Sequence, residues 1–266
     1  MRRELANPRM EAQVLRHYLG LSGPPDLPAV LQSLGVVLKE ADMDDGFDGA
    51  ALRTPKRNGI LINKSVRYSS RRRFTIAHEL GHLRLPWHDR KEYRCQSADI
   101  ESFNPDRRYE READEFAAEF LIPEAIIQPV FRKQQFSFNL IKAVADEYET
   151  SLTATALRGI TYTPDRFAVV LSMDRRIRWG RRSESFGYSV RAGSLHHDTY
   201  AADFFGSCDL PSGPVQVDPH AWLSDRGIPR DLVLFEHSIS FLRLGAVLTL
   251  LSYEPQEDDE LGMDAF

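Results

Sequence analysis

Residues 74–85 read FTIAHELGHLRL, and within them His78-Glu79-Leu80-Gly81-His82 forms an H-E-x-x-H pair on a stretch of helical period. Each helical residue advances by about 100°, so His78 and His82 lie roughly 40° apart on one face and can bind the same ion. Glu79 falls on the flank of that face. A carboxylate there stands beside the ion without binding it, where a general base must be to take a proton from an attacking water. The five-residue pattern fixes only three positions and also turns up in ordinary helices. Its surroundings argue for a site: Ile76, Leu80 and Leu83 make an apolar stripe roughly opposite the histidines. Gly81, which costs about 1 kcal/mol inside a helix, implies close approach by another group. Catalytic zinc takes three protein ligands and keeps a fourth position open, so a third ligand must come from elsewhere.

It is read from residues 109–123, YEREADEFAAEFLIP, again helical by period and closed by a proline that cannot continue a helix. Tyr109, Ala113, Phe116, Ala117 and Phe120 make the buried face. With Glu110 taken as zero, Asp114 lies at about 40° and Leu121 at about 20°, so this acidic pair borders the apolar row. Glu112, Glu115 and Glu119 lie at about 140° to 200°, the side a solvated helix gives to water, and are read as surface charge. A carboxylate at a buried edge is costly unless paired, hydrogen-bonded or bound to metal. Glu110 is therefore the expected third ligand. Asp114, one turn on, is placed to accept the free ring N–H of a ligating histidine.

The two segments together resemble the ImmA/IrrE family of metallopeptidases, whose members carry a helix like RFTIAHELGH and then one like E-x-x-x-[ND]-x-F-A-A-x-L-[LM]-P. The matching residues are 73–82, then Glu110, Asp114, Phe116, Ala117, Ala118, Leu121 and Pro123. The resemblance implies a gluzincin-type site with His78, His82 and Glu110 on Zn2+ and Glu79 as catalytic base. It covers roughly the first 165 residues well and the remainder loosely. Ile122 stands where leucine or methionine is common and Asp114 where asparagine is frequent; neither departure removes a group the chemistry needs.

A rival ligand set uses His88, ten residues after His78, the spacing of the H-E-x-x-H-x-x-G-x-x-H motif. That motif turns on a glycine at its eighth position, where this chain has Leu85 followed by Pro86. His88 is read instead as a residue of the cleft rim or of the surface. Tyr93 and Tyr109 are candidates for stabilising the oxyanion of a tetrahedral intermediate, with packing as the alternative.

A chain of 266 residues with 42% apolar and 27% charged residues is long enough for a sizeable core and neither disordered nor membrane-like in composition. The N-terminus, MRRELANPRMEAQ, lacks the apolar segment of a secretory signal, so cytoplasmic residence is the expectation. Cys95 and Cys208 form no disulfide framework and no C-x-x-C pair.

The fold class expected is α+β: a zincin-like metallopeptidase domain over 1–135, a helix-turn-helix-like helical extension over 136–163, and a β-rich regulatory or recognition region over 164–266. Helices are read at 10–19 and 26–34. Strands are read at 36–39, 49–53 and 59–63, the last as a candidate edge that holds an extended substrate. Residues 86–106 read as a polar loop in the cleft wall. In 139–160, NLIKAVADEYETSLTATALRGI, acidic groups outnumber basic ones and the chain carries net charge −5, which argues against direct DNA contact. Strand-like runs follow at 167–173, 176–179 and 247–253, a region that in IrrE-type relatives resembles a GAF sensor fold. His196-His197 reads as a surface loop pair, and 254–264 as an acidic tail.

The function these readings support is zinc-dependent endoproteolysis of a regulatory protein, with a helix-turn-helix repressor implied by the family resemblance. The alternative is a non-proteolytic regulatory protein with a structural or vestigial zinc site, against which Glu79 argues because a structural site has no use for a base.

Overall fold

The structure is a computed structural model that describes residues 7–44, 46–96, 108–206 and 210–254. Cys208 and the acidic run from 255 onward lie outside the described residues, as does 97–107. The chain divides into two compact units, Met1–Ile127 with Ala143–Ala154, and Gln128–Lys142 with Thr155–Phe266. Both helices and sheets are present, so the class is α+β, with a four-stranded sheet in the first unit and a six-stranded sheet in the second.

In the first unit, α1 (Pro8–Tyr18) and α2 (Leu27–Ser33) begin where Asn7 and Asp26 accept backbone N–H groups of the first turn, each with proline at the start. Three strands follow, β1 (Val37–Ala41), β2 (Phe47–Leu52) and β3 (Gly59–Asn63), then α3 (Ser69–Arg84), β4 (Glu92–Gln96) and α4 (Arg108–Leu121). The sheet order is β1-β3-β2-β4. This corrects the expectation for 59–63: β3 is not an edge but an interior strand, parallel to β1 and antiparallel to β2. Its apolar run, Ile60 to Ile62, fits a place paired on both sides. The outer place beside β2 goes to β4, a strand inside the stretch read as polar loop.

Helix α3 packs against β2, β3 and β4 and against α4, and from Thr75 to His82 every residue is buried. It has no solvent face there. Helix α4 in turn also packs on α1, where the Arg16 guanidinium donates to the Phe120 carbonyl at 2.7 Å. Helix α5 (Glu124–Lys133) leads to α6 (Phe138–Tyr148) and α7 (Leu152–Gly159), the helical pair read at 139–160. The division between the units falls within α6 and within α7.

The second unit holds an antiparallel sheet in the order β7-β6-β5-β10-β9-β8. Its strands are β5 (Phe167–Met173), β6 (Arg176–Arg182), β7 (Gly193–Ser194), β8 (Val215–Val217), β9 (Leu234–Phe241) and β10 (Ala246–Tyr253), with short helices α8 (Tyr200–Phe204) and α9 (Pro219–Trp222). Val170, Phe186, Trp222, Leu234, Val247 and Leu251 anchor its core. Strand β9 carries a buried carboxylate, Glu236, whose oxygens accept from the backbone of Tyr200 and Ala201, from Trp222 Nε1 and from Ser238 Oγ. Among the described residues no helix is long and apolar enough to cross a membrane.

Candidate metal centre

His78 and His82, one turn apart on α3, meet Glu110 from the first turn of α4. His82 Nε2 is 3.1 Å from His78 Nε2, and Glu110 Oε2 is 3.1 Å from His78 Nε2 and 3.5 Å from His82 Nε2. Four ligands about 2.0–2.1 Å from a tetrahedral zinc stand roughly 3.3 Å from one another, so the triangle fits such an ion. Asp114 Oδ1 lies 2.8 Å from His78 Nδ1. An ionised carboxylate only accepts, so it draws the ring proton of His78 to Nδ1 and leaves Nε2 as a lone pair. That lone pair faces a second carboxylate and a second imidazole, an arrangement stabilised only by a cation among them. These three residues could hold a metal ion.

The protonation of the group suits a metal, which needs neutral imidazoles and an ionised carboxylate. Burial alone would raise Glu110, but the close approach of the His78 and His82 rings outweighs it and holds the carboxyl well below the usual range. Burial lowers His82 to about 4, against the opposing pull of Glu110.

Glu79 is fully buried beside this group, and neither of its oxygens has a hydrogen-bond partner. Burial pushes it up to about 8; the charge of His78 works against this and that of Glu110 with it. The Ala51 backbone lowers it as well, without reaching regular hydrogen-bond geometry. Gly49 on β2 lies so close that an added Cβ would stand 3.1 Å from Glu79 Oε1 and 2.7 Å from Thr75 Cγ2. A buried carboxylate without a partner is a group held ready for a proton.

Three further candidates form one aromatic assembly on the outer side of His82. The Tyr93 ring, from β4, stacks on His82 with centroids 4.2 Å apart and planes 17° from parallel. Its hydroxyl accepts the Arg90 N–H at 3.2 Å. Tyr109 meets His88 edge-on at 4.9 Å and lies under the Arg90 guanidinium at 5.2 Å. His88 itself is fully buried, which corrects its reading as a rim or surface residue. Its Nδ1 sits 3.0 Å from His82 Nδ1, so it approaches the nitrogen of His82 that points away from Glu110. Burial lowers the pKa of His88, partly offset by Glu112.

The reading of Glu112, Glu115 and Glu119 as surface charge holds only for Glu115. Glu112 accepts from Trp87 Nε1 at 2.6 Å and from Arg108 Nε at 2.6 Å and meets His88 Nε2 at 3.0 Å. Glu119 is fully buried and accepts from Gln13 Nε2 at 2.9 Å and from the Glu124 N–H at 3.2 Å. The physical reason is the packing of α4 on both α3 and α1, which leaves it little open surface. Arg53, just after β2, was not singled out either. It donates Nη2 to the carbonyls of His82 at 2.6 Å and Leu83 at 3.2 Å, fixing the end of α3 that carries the second histidine. In the second unit His196, His197 and Asp198 also cluster, with the two rings 4.4 Å apart and both His197 and Asp198 exposed.

Gly81 accounts for the close approach of the two site helices. An added Cβ would lie 3.3 Å from Ala113 Cα and 3.1 Å from Phe116 Cδ1, and the Ala113 backbone cannot swing aside. Gly81→Ala gains about 1 kcal/mol of helix propensity but overpacks a close contact, at about 1–3 kcal/mol. It is expected to lower the melting temperature and to weaken metal retention together, checked by thermal unfolding and by metal analysis of the same preparation.

Residues 31–158 match the model of the peptidase M78 family, described as the IrrE N-terminal-like domain, and that span contains α3 and α4 entire. No curated protein matches the chain in sequence. Among solved structures, a Mycobacterium tuberculosis transcriptional regulator is similar in fold, with a TM-score of 0.54 at 14% identity over 92% of this chain and 76% of that one. Over residues 31–158 the chain therefore carries a metallopeptidase-like segment that is similar to the ImmA/IrrE family.

Proposed function

We propose that this protein is a zinc-dependent metalloendopeptidase of the cytoplasm that cuts another regulatory protein, a helix-turn-helix repressor, at one or a few sites. The observation that carries the reading is the pairing of a three-acceptor cluster, His78, His82 and Glu110, with a buried, unpartnered Glu79 beside it. The donor set, two imidazoles and one carboxylate, is one that zinc takes in peptidases. Zinc held there would polarise the scissile carbonyl and lower the pKa of the attacking water. Glu79 takes the proton of that water on its carboxylate and passes it to the nitrogen of the departing amine, whose release needs it. His78 and Glu110, fixed from two helices that touch at Gly81, hold the reacting group against this base. Tyr93 accepts from the Arg90 N–H and keeps its own O–H to donate, so it and Tyr109 stay the candidates for the oxyanion.

An extended substrate would pair with β4, whose outer edge has no strand partner among the described residues and whose Tyr93 touches His82. The chemistry belongs to the unit that carries α3 and α4. The region over 164–266, reached through the helical extension at 136–163, supplies the contact surface that selects one partner, which a digestive enzyme would not need. The protein target follows from family resemblance rather than from site chemistry, and the fold neighbour described as a transcriptional regulator fits a regulatory setting.

The test is to incubate the full chain with zinc and, separately, with a helix-turn-helix repressor from the same genome and with casein. Cleavage of the repressor at one or two positions and little attack on casein is the expected result. Efficient casein digestion with no preference for any repressor would replace this reading with a general peptidase. Absence of cleavage in either case, with zinc bound, would favour the non-proteolytic alternative.

A further inference from the structure

His82 has two ring nitrogens, and the protein uses both. Nε2 faces His78 and Glu110, while Nδ1 lies 3.0 Å from Nδ1 of His88. Two nitrogens at that distance share one proton, so one ring donates and the other accepts. The direction is decided at the far end. His88 Nε2 lies 3.0 Å from Glu112 Oε2, and Glu112 is already an acceptor for Trp87 Nε1 at 2.6 Å and Arg108 Nε at 2.6 Å. A carboxylate with two donors on it is ionised and accepts from the third neighbour too. His88 must therefore carry its proton on Nε2, and its Nδ1 is a lone pair. His82 then donates Nδ1–H to that lone pair, and its Nε2 is free to bind metal. The opposite direction would put a proton on His82 Nε2 and point a bare His88 nitrogen at a carboxylate.

On this ground, and resting on the metal reading above, we propose that His88 is a positioning residue. It carries the acceptor character of Glu112 one imidazole deeper into the core, fixing His82 with Nε2 toward the metal. The two ligating histidines are thus oriented by different means: His78 meets Asp114 directly at 2.8 Å, whereas His82 reaches its carboxylate through His88. The intermediate ring is needed because His82 is fully buried, under the Tyr93 ring, and Glu112 stands farther out, at the partly open start of α4. The His88 ring is held in turn by Tyr109 at 4.9 Å and Trp87 at 6.3 Å, both near edge-on.

Two measurements on the full chain test this. Zinc affinity, read by competition with a chromophoric chelator, is expected to fall about 10–100-fold in His88→Phe, which fills the space and cannot accept. In His88→Gln it is expected to return most of the way, because an amide accepts through its oxygen and donates through its nitrogen. Nitrogen-15 spectra of the histidine rings in metal-free wild type are expected to show His88 protonated at Nε2 and bare at Nδ1. Equal zinc affinity in wild type and His88→Phe would overturn the proposal, as would a His88 ring protonated at Nδ1. If wild type binds no zinc, the metal reading fails, and the ring spectra still decide the role of His88.

Discussion

Glu79→Gln keeps its zinc and loses peptide hydrolysis, by about 10²–10⁴-fold if its part is that of a general base. The three proposed ligands are untouched by the change, and an amide cannot take the proton. Metal analysis and cleavage of the repressor by the same preparation check both halves, and an active variant would exclude this mechanism. The same substitution has a second signature, in stability. Folded metal-free protein holds a proton on Glu79 up to about 8, whereas the unfolded carboxyl releases it at about 4.5. Between those values the folded state binds more protons than the unfolded one, so wild-type stability drops as pH rises. Glutamine does not titrate. The metal-free variant is therefore expected to match wild type below about pH 4.5 and to exceed it increasingly toward pH 8, by on the order of a few kcal/mol. Denaturant melts across that range, without metal, give the difference; a gap that is constant with pH would mean Glu79 is ionised in the folded state.

Glu110→Ala is expected to lose nearly all zinc and all activity. It deletes one of three ligands and also the negative charge that balances two imidazoles and a dication. Glu115→Ala is the matched control, one turn and a half along the same helix and exposed, and should retain one zinc per chain. Glu112→Ala is not a neutral control here, because Glu112 holds Trp87, Arg108 and His88. Retention of zinc by Glu110→Ala, with loss in His88→Phe, would move the third ligand to His88.

What could be read from sequence was what lies on a single helix face. His78, Glu79 and His82 are spaced by the helix itself, and Glu110 and Asp114 border one apolar row. The wheel failed for Glu112 and Glu119 because it assumes one buried side, while α4 is covered by α3 and by α1. His88 was misplaced for a related reason: with no glycine turn after His82 it reads as a rim or surface residue, and only Tyr109 and Glu112 of the returning α4 close over it. Strand β4 has no apolar alternation to announce it. Strand β9 went unread since its inward positions include Glu236, whose partners come from α8 and α9, and Ser238, which meets Thr249 of β10, so the pattern that marks a half-buried strand is broken.

Helix α3 shows no face to solvent between Thr75 and His82. Its backbone amides can then exchange with solvent deuterium only when the surrounding unit opens, so they should be among the slowest in the chain. The reacting groups cannot fray separately from the core that holds them. Heat should therefore abolish activity and unfold the first unit in one step, with no folded but inactive species between.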